Sequence, residues 1–481
     1  MTSTLTRRRL LEGSLAGLVA GVSSGCADHR SGRRVVVVGA GLSGLNAALI
    51  LERWGFEVQV VEARERVGGR LWTLDHLPGS PEGGGNVMGS NYGRIFKMAH
   101  DLRVPLRSPP RTLPSDYFVG AQRIPRDDWA NAAANPLPDG WRNIPPNRLM
   151  GKLNASNPLL QTRAWHDPAL MATDQSALSG LQALGYPDAA IQLMGANNSY
   201  GNNLEETSLM SLYRVMGEFG RLSGPALAVK EATQGNMRLP EAMAGQLRRP
   251  VEMGATVTAI QQSPSETKVT LVTGKTLDAD AVIMTLPLPA LRRLDMGLPA
   301  ARVALLDAVD YHKVVQLHCI VEAPFWESAG WGGSWWTDSL LGRVFTRPIP
   351  GTTRYNMTVW INGDDCDALN ALDEAAATDT IARALWELMP EAREVTSIGQ
   401  LVRWTNDPHA GGVWALWRPG QAVTAHAALR APAGRLFFAG EHTAESYRGM
   451  EGAMESGERA ALEAMRLLAV SYTHLTLPTK A

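Results

Sequence analysis

VVVVGAGLSGLNAALILERWGFEVQVVEARERVGGR, residues 35–70, is the stretch that decides the fold of this chain. Val35 to Val38 is a continuous β-branched run, the pattern of a strand buried on both faces of a parallel sheet. Gly39, Gly41 and Gly44 follow as G-x-G-x-x-G. The first glycine permits a tight turn, the second lets backbone approach a pyrophosphate, and the third lets a helix pack on the strand. Leu42 to Trp54 reads as that helix, with Gly55 as its stop. Its N-terminus would direct amide donors and the positive end of the dipole at phosphates. Phe56 to Val61 reads as a second strand, and Glu62 stands at its end, 18 residues past Gly44. A carboxylate there accepts both ribose hydroxyls of an adenosine and repels a 2′-phosphate. A glycine fingerprint alone also fits a structural turn in an unrelated α/β domain. Strand, helix, second strand and acid in this order point to a dinucleotide.

The residues after Glu62 narrow the cofactor. Glu62-Ala63-Arg64-Glu65-Arg66-Val67-Gly68-Gly69-Arg70 resembles the E-A-R-x-R-x-G-G-R signature of the flavin amine oxidase family. Simple NAD dehydrogenases lack it, so the resemblance implies FAD. The Gly68-Gly69 pair lets backbone approach the flavin side of the pyrophosphate, and Arg70 offsets charge there. A second block, RLFFAGEHTAESYRGMEGAMESGERAA from Arg435 to Ala461, is similar to the family's C-terminal flavin-binding stretch. It predicts a strand over Leu436–Ala439, a Gly440-Glu441 turn, and a helix over Met450–Leu468 whose first turn lies under the flavin pyrimidine. A third match joins Met237–Leu247, a strand over Gly254–Ile260 and Leu277–Pro287. Glu82 with Gly84 and Gly85 resembles the family's short acidic-glycine segment, although the following Asn86-Val87-Met88 is less typical. Carried over residue by residue, the resemblance implies a cofactor site of Gly39, Gly41, Leu42, Ser43, Gly44, Glu62, Ala63, Arg64, Gly69, Arg70, Gly85, Asn86, Val257, Gly440, Glu441, Gly449 and Met450.

The expected class is therefore α/β: a discontinuous Rossmann-like FAD-binding domain with an inserted α+β substrate domain. The FAD-binding part is expected at 33–100, 231–295 and 401–470, and the substrate part at 101–230 and 296–400. With 481 residues the chain has ample length for both. A formal net charge of −1 argues against a nucleic-acid-binding surface, and 45% hydrophobic content against wholesale disorder. Residues 1–32 read as a targeting segment: Thr6-Arg7-Arg8-Arg9-Leu10-Leu11 resembles a twin-arginine export signal, and the Gly13–Ser24 run after it is too short and glycine-rich for a stable membrane span. Export to the periplasm or exterior is the expectation. Cys26 raises lipidation, but Ser23 stands where leucine is usual. Cys319 and Cys366 are the remaining cysteines; they could pair, but two do not make a disulfide framework. No cluster has metal-ligand spacing, and polar packing is the reading for His409 and His442. The last residues, SYTHLTLPTKA (471–481), have no periodicity and read as a non-native or disordered tail.

Specificity is expected in the two inserts. The first is rich in Pro, Asn and Ala and reads as loops with short helices. Nine of the 14 tryptophans fall between residues 301 and 420, which reads as part core and part active-site wall. Gly411-Gly412-Val413-Trp414 resembles the family's segment beside the flavin. Val413 falls where some members carry the cysteine that bonds FAD, so the resemblance implies noncovalent FAD. Trp414 falls at one wall of the aromatic cage that aligns the substrate amine. The opposite wall maps to Gly449, which has no ring, and Tyr447 is two residues away. The family's lysine that holds a water near flavin N5 maps to Gln316, with Lys313 three residues earlier; a strand residue facing solvent is the plain alternative for Gln316. The catalytic candidates are thus Trp414, Gln316, Lys313 and Tyr447. An amino-acid substrate needs a carboxylate clamp, and Arg214, Arg221, Arg343 and Arg354 are candidates.

The activity implied is hydride transfer from the carbon bearing an amine to flavin N5. The imine hydrolyses to a carbonyl and ammonia, and O2 reoxidises the flavin to give hydrogen peroxide. A desaturase or porphyrinogen-type oxidoreductase of the same fold, and a flavin-binding protein without turnover, are the alternatives.

Overall fold

In the computed structural model, residues 32–159, 161–220 and 228–473 are described. The export segment with Cys26 lies outside them apart from Gly32, as do Arg221 and the tail beyond Thr473.

Four short parallel strands, none longer than five residues, make the first sheet. Their order is Leu436–Phe438, Ala281–Met284, Arg34–Val38 and Glu57–Val61. Three stretches that are hundreds of residues apart thus stand side by side. Each strand is apolar because each is sandwiched: Val35, Val37, Ile283 and Phe437 face one core while Val36, Val38, Met284 and Phe438 face another.

The first strand runs into the helix Leu42–Arg53, one turn-residue shorter than the sequence suggests, and Gly55 leaves it at φ +85°. The long helix Gly449–Thr473 lies against it. Their backbones touch: a Cβ on Gly457 would come within 2.2 Å of the Ser43 carbonyl oxygen. The buried Asn46 amide donates to the Met454 carbonyl at 2.8 Å across the same crossing. The helix runs past Leu468 and takes in Ser471, Tyr472 and Thr473, so the expected tail begins inside it. A three-stranded antiparallel meander, Val257–Gln262, Thr267–Leu271 and Thr276–Ala279, precedes the Ala281–Met284 strand.

The second large sheet has seven strands in the order Thr396–Arg403, Val314–Val321, Tyr355–Asn362, Arg343–Pro348, Ser334–Thr337, Ser115–Val119 and Gln122–Ile124. Strands from both inserts share it, joined where Ser334–Thr337 pairs in parallel with Ser115–Val119. The boundary expected at residue 401 falls inside the Thr396–Arg403 strand. Val314–Val321 shows how the sheet divides the molecule. Val315, Leu317, Cys319 and Val321 face the helix Glu374–Leu388, packing with Ile381 and Leu385, while Gln316 and His318 alternate to the other face. Cys319 and Cys366 are separate buried thiols and form no disulfide. The first insert adds a layer of short helices, among them Ala177–Ala183, Asp188–Ala196 and Leu209–Gly220, with 3-10 turns between. No helix among the described residues is long and apolar enough to cross a membrane.

Gly44 is the tightest point of the nucleotide fold, since a Cβ there would stand 2.0 Å from the Gly39 carbonyl oxygen. Gly44→Ala is expected to cost about 3 kcal/mol through overpacking and to lower the thermal midpoint by several degrees. Gly151→Ala, with nothing within 4 Å of the added Cβ, is the matched control and should leave the midpoint unchanged.

Candidate functional site

The carboxyl ends of the parallel strands open on one continuous cavity of about 670 Å³ that reaches the polar face of the seven-stranded sheet. Its first end is built by the opening motif. Gly39 sits at φ +106°, its turn held by Thr285, whose hydroxyl donates to the Val38 carbonyl at 2.8 Å. Gly41 is the N-cap of the helix Leu42–Arg53; it offers no capping side chain, and no acid stands in the first turn. The first-turn amides therefore have no intrahelical partner and meet the cavity, where an anion satisfies them. Gly69, at φ +59°, faces Gly41 across the floor: a Cβ on it would lie 3.4 Å from the Gly41 Cα. Glu62 is buried at the end of its strand. Its carboxylate accepts from the Ala40 amide at 2.8 Å and the Arg64 amide at 3.0 Å, which fixes it with lone pairs left for hydroxyls. Ala63 and Val257 complete this end.

The middle of the cavity is walled by a part-buried ion pair. Arg70 donates to the Val413 carbonyl at 2.7 Å and to Glu441 Oε1 at 3.0 Å, and the same oxygen accepts from the Ala415 amide at 3.0 Å. Burial would raise the Glu441 pKa, but Arg70, His442 and the Ala415 amide together outweigh it and hold the carboxyl below its ordinary value. Gly440, at φ +127°, and Met450 line the wall beside it.

At the far end stand Gln316, Trp360, Trp404, Trp414, Tyr92, Tyr200, Arg448 and Gly449. Gln316 is buried, not a solvent-facing strand residue, and it is oriented. His318 Nε2 lies 3.0 Å from Gln316 Oε1, and Thr358 Oγ1 lies 3.2 Å from His318 Nδ1. Burial pulls the His318 pKa down to about 4, so the ring is neutral at pH 7. With Oε1 held by the imidazole, the Gln316 amide nitrogen turns toward the Gly83 carbonyl, 3.4 Å away, and Gln316 lines the cavity. The same carbonyl accepts the Trp404 indole at 2.8 Å.

The structure brings into one wall every carried-over residue of the opening, middle and C-terminal blocks except three. Gly44 lies beneath the floor and acts through packing. Lys313 does not reach the cavity: its ammonium is captured by Asp364 at 3.0 Å and Asp367 at 2.8 Å. Tyr447 is also off the wall; its carbonyl accepts from Arg214 at 2.7 Å and its amide donates to Glu455 at 3.1 Å. Arg64 lines the cavity, but its guanidinium pairs with Asp407 at 2.6 Å. Asn86 is on the wall and accepts from Arg347 at 3.2 Å. His409 lines the adenosine end, whereas His442 is core. Among the described residues no group of histidine, cysteine and acids is placed to hold a metal. Tyr92, Tyr200 and Arg448 were not found by sequence reasoning. The first two sit in irregular segments without a motif, and Arg448 lies inside a quoted block but its direction depends on the turn at Gly449.

The comparisons agree with this geometry. Residues 42–465 match the profile of the flavin containing amine oxidoreductases. The chain belongs to that family. It is a flavin-dependent oxidoreductase acting on carbon–nitrogen bonds of amines. It is 26% identical to an L-amino-acid oxidase of Bothrops atrox, over 92% of this chain and 90% of that one. It is 27% identical to the flavin-dependent L-tryptophan oxidase of Lentzea aerocolonigenes, over 91% and 98%. In fold it matches a redesigned putrescine oxidase with a TM-score of 0.76 at 23% identity, covering 90% of this chain and 99% of that one. Cyclohexylamine oxidase from Brevibacterium oxydans matches at 0.74 and 20%, covering 91% and 100%.

The flavin fits these residues. An uncapped helix N-terminus and a glycine floor suit a pyrophosphate, Glu62 suits a ribose, and Gln316 presents an amide donor at the aromatic end.

Behind the wall, Glu82 is half-buried and accepts from the Asn236 amide at 2.6 Å and from Thr73. Burial pushes its pKa from 4.5 up to about 8. Its contribution to stability is complete below pH 4.5 and is lost as pH rises through 8. Glu82→Gln lacks that loss, so its thermal midpoint should gain on wild type progressively between these two pH values; a gap that shrinks with rising pH contradicts the assignment.

Proposed function

We propose that this protein is an FAD-dependent oxidase of an amine or L-amino acid. It removes two electrons and two hydrogens from the H–C–N–H unit to give an imine, which water converts to a carbonyl and ammonia, while O2 is reduced to hydrogen peroxide. The observation that carries the reading is the continuity of one cavity from Glu62 through the Arg70–Glu441 pair to the aromatic end at Trp414. Cofactor and substrate therefore share a single enclosed space. FAD is held noncovalently in this reading, because Val413 offers no thiol at the position where some members of the family bond it.

Bound flavin supplies the two-electron acceptor. The chain's own residues do the rest by placement. Arg70 keeps Glu441 ionised and fixes the Val413–Ala415 segment, which sets the position of Trp414. The Thr358–His318–Gln316 chain fixes an amide donor on the opposite strand. Trp360, Trp404 and Trp414 exclude water from the reacting carbon. No acid–base dyad is required for the hydride step, since the amine reacts in its deprotonated form.

The test is anaerobic titration of the purified holoenzyme with a panel of amines and L-amino acids, followed at the flavin absorbance. At least one class should bleach the flavin, and readmitting air should restore it with one equivalent of peroxide. Bleaching by none, or reoxidation only by an artificial acceptor, contradicts the reading.

Export by the twin-arginine route is part of the proposal, supported by Thr6–Leu11 and the apolar run that follows. Replacing Arg7, Arg8 and Arg9 with lysine should retain the protein in the cytoplasm; unchanged export by the lysine variant contradicts it.

A further inference from the structure

The aromatic end of the cavity contains a cation that makes no hydrogen bond to its counter-ion. Arg448 lines it, with its guanidinium 5.3 Å from the Tyr200 ring and 5.9 Å from the Trp414 ring. Its Nε is buried and has no hydrogen-bond partner. The nearest carboxylate, Glu218, stands 3.9 Å from that nitrogen, outside hydrogen-bond range. Glu218 is itself 1% exposed, and neither of its oxygens has a partner.

The other arginines near this end are hydrogen-bonded elsewhere or lie off the wall, Arg214 among the latter although its Nε also has no partner. Arg70 is used by Glu441 and Val413. Arg214 donates to the Ala444 and Tyr447 carbonyls at 3.0 and 2.7 Å and lies over Trp165. Arg343 donates its Nε to Asn197 at 3.1 Å and is not on the wall, while Arg354 is on the surface beside Glu322. The room for Arg448 comes from Gly449. A Cβ at Gly449 would meet nothing nearer than the Tyr92 hydroxyl at 3.8 Å, so the space where a second cage ring would stand is open.

We propose that Arg448 is the specificity-determining residue of the site and that it binds the carboxylate of an α-amino acid. The proposal rests on the oxidase reading above and narrows its substrate class. A guanidinium fork with free donors in an enclosed aromatic pocket is completed by a planar, doubly accepting anion. Glu218, 3.9 Å away, gives Arg448 a countercharge without a hydrogen bond and leaves its donors free for that anion. An alkylamine without a carboxylate brings a cation toward a cation and leaves the fork unsatisfied. The same positive charge helps the reacting nitrogen lose its proton, because a neighbouring cation disfavours the ammonium form.

The test uses the oxidised holoenzyme and benzoate, a carboxylate that cannot be oxidised, titrated by the change it makes in the flavin spectrum. Benzoate should bind wild type, bind Arg448→Gln about tenfold or more weakly, and bind Arg448→Lys with intermediate affinity. In parallel, L-phenylalanine and phenethylamine, which differ only in the carboxylate, are compared as anaerobic reductants. Wild type should favour the amino acid, and the preference should collapse in Arg448→Gln. Flavin content and thermal midpoint of both variants report whether the fold is kept, and the lysine variant preserves the charge if the glutamine variant does not fold. No benzoate binding to wild type, equal binding to both proteins, or a wild-type preference for phenethylamine overturns the proposal. Benzoate binding that depends on Arg448 while no amine or amino acid bleaches the flavin would instead overturn the oxidase reading and leave an anion site at Arg448.

Discussion

The part-buried contact between Arg70 and Glu441 is the constraint on which the rest of the molecule depends. It joins the end of the opening motif to the C-terminal block, and through Ala415 and Val413 it holds the segment that carries Trp414. Buried charges of this kind are costly unless each remaining donor and acceptor is satisfied. Here the Val413 carbonyl and the Ala415 amide add hydrogen bonds to the two paired atoms, Arg70 Nη1 and Glu441 Oε1. Removing either partner would leave a charge inside the cavity wall, which makes the pair an all-or-none feature of the site.

Two further devices keep the discontinuous chain registered. Parallel pairing places Ala281–Met284 between the first and last strands of the nucleotide sheet. The Gly457–Ser43 crossing then lets the C-terminal helix approach the first helix at backbone contact. Glu451, in the first turn of that C-terminal helix, accepts from the Arg94 and Ile95 amides at 3.0 and 3.1 Å, so it also caps the neighbouring helix Gly93–Asp101. These contacts bring both helix N-termini to the cavity, where their dipoles act on the cofactor.

The cavity is asymmetric in chemistry. Its first end is backbone donors, glycines and one carboxylate, suited to phosphate and ribose. Its far end is lined by five aromatic side chains interrupted by Gln316 and Arg448. The seven-stranded sheet contributes to this split, because alternation along Val314–Val321 sends Val315, Leu317, Cys319 and Val321 to one core and Gln316 to the cavity, with His318 behind it.

By itself the sequence determined the cofactor end. Val35–Arg70 encodes its own strand, turn, helix and acid within one local unit, so glycine spacing and β-branched runs suffice to read it. The same holds for Gly440-Glu441 and the helix after it. What only the tertiary structure decided is the substrate end. Lys313 and Gln316 are three residues apart, yet two carboxylates near residue 366 draw the lysine outward while strand alternation turns the glutamine inward. Tyr447 and Arg448 are adjacent, and the left-handed turn at Gly449 accompanies the arginine, not the tyrosine, on the wall. Side-chain direction at such positions is set by contacts with elements distant in the chain, and local spacing carries no record of them.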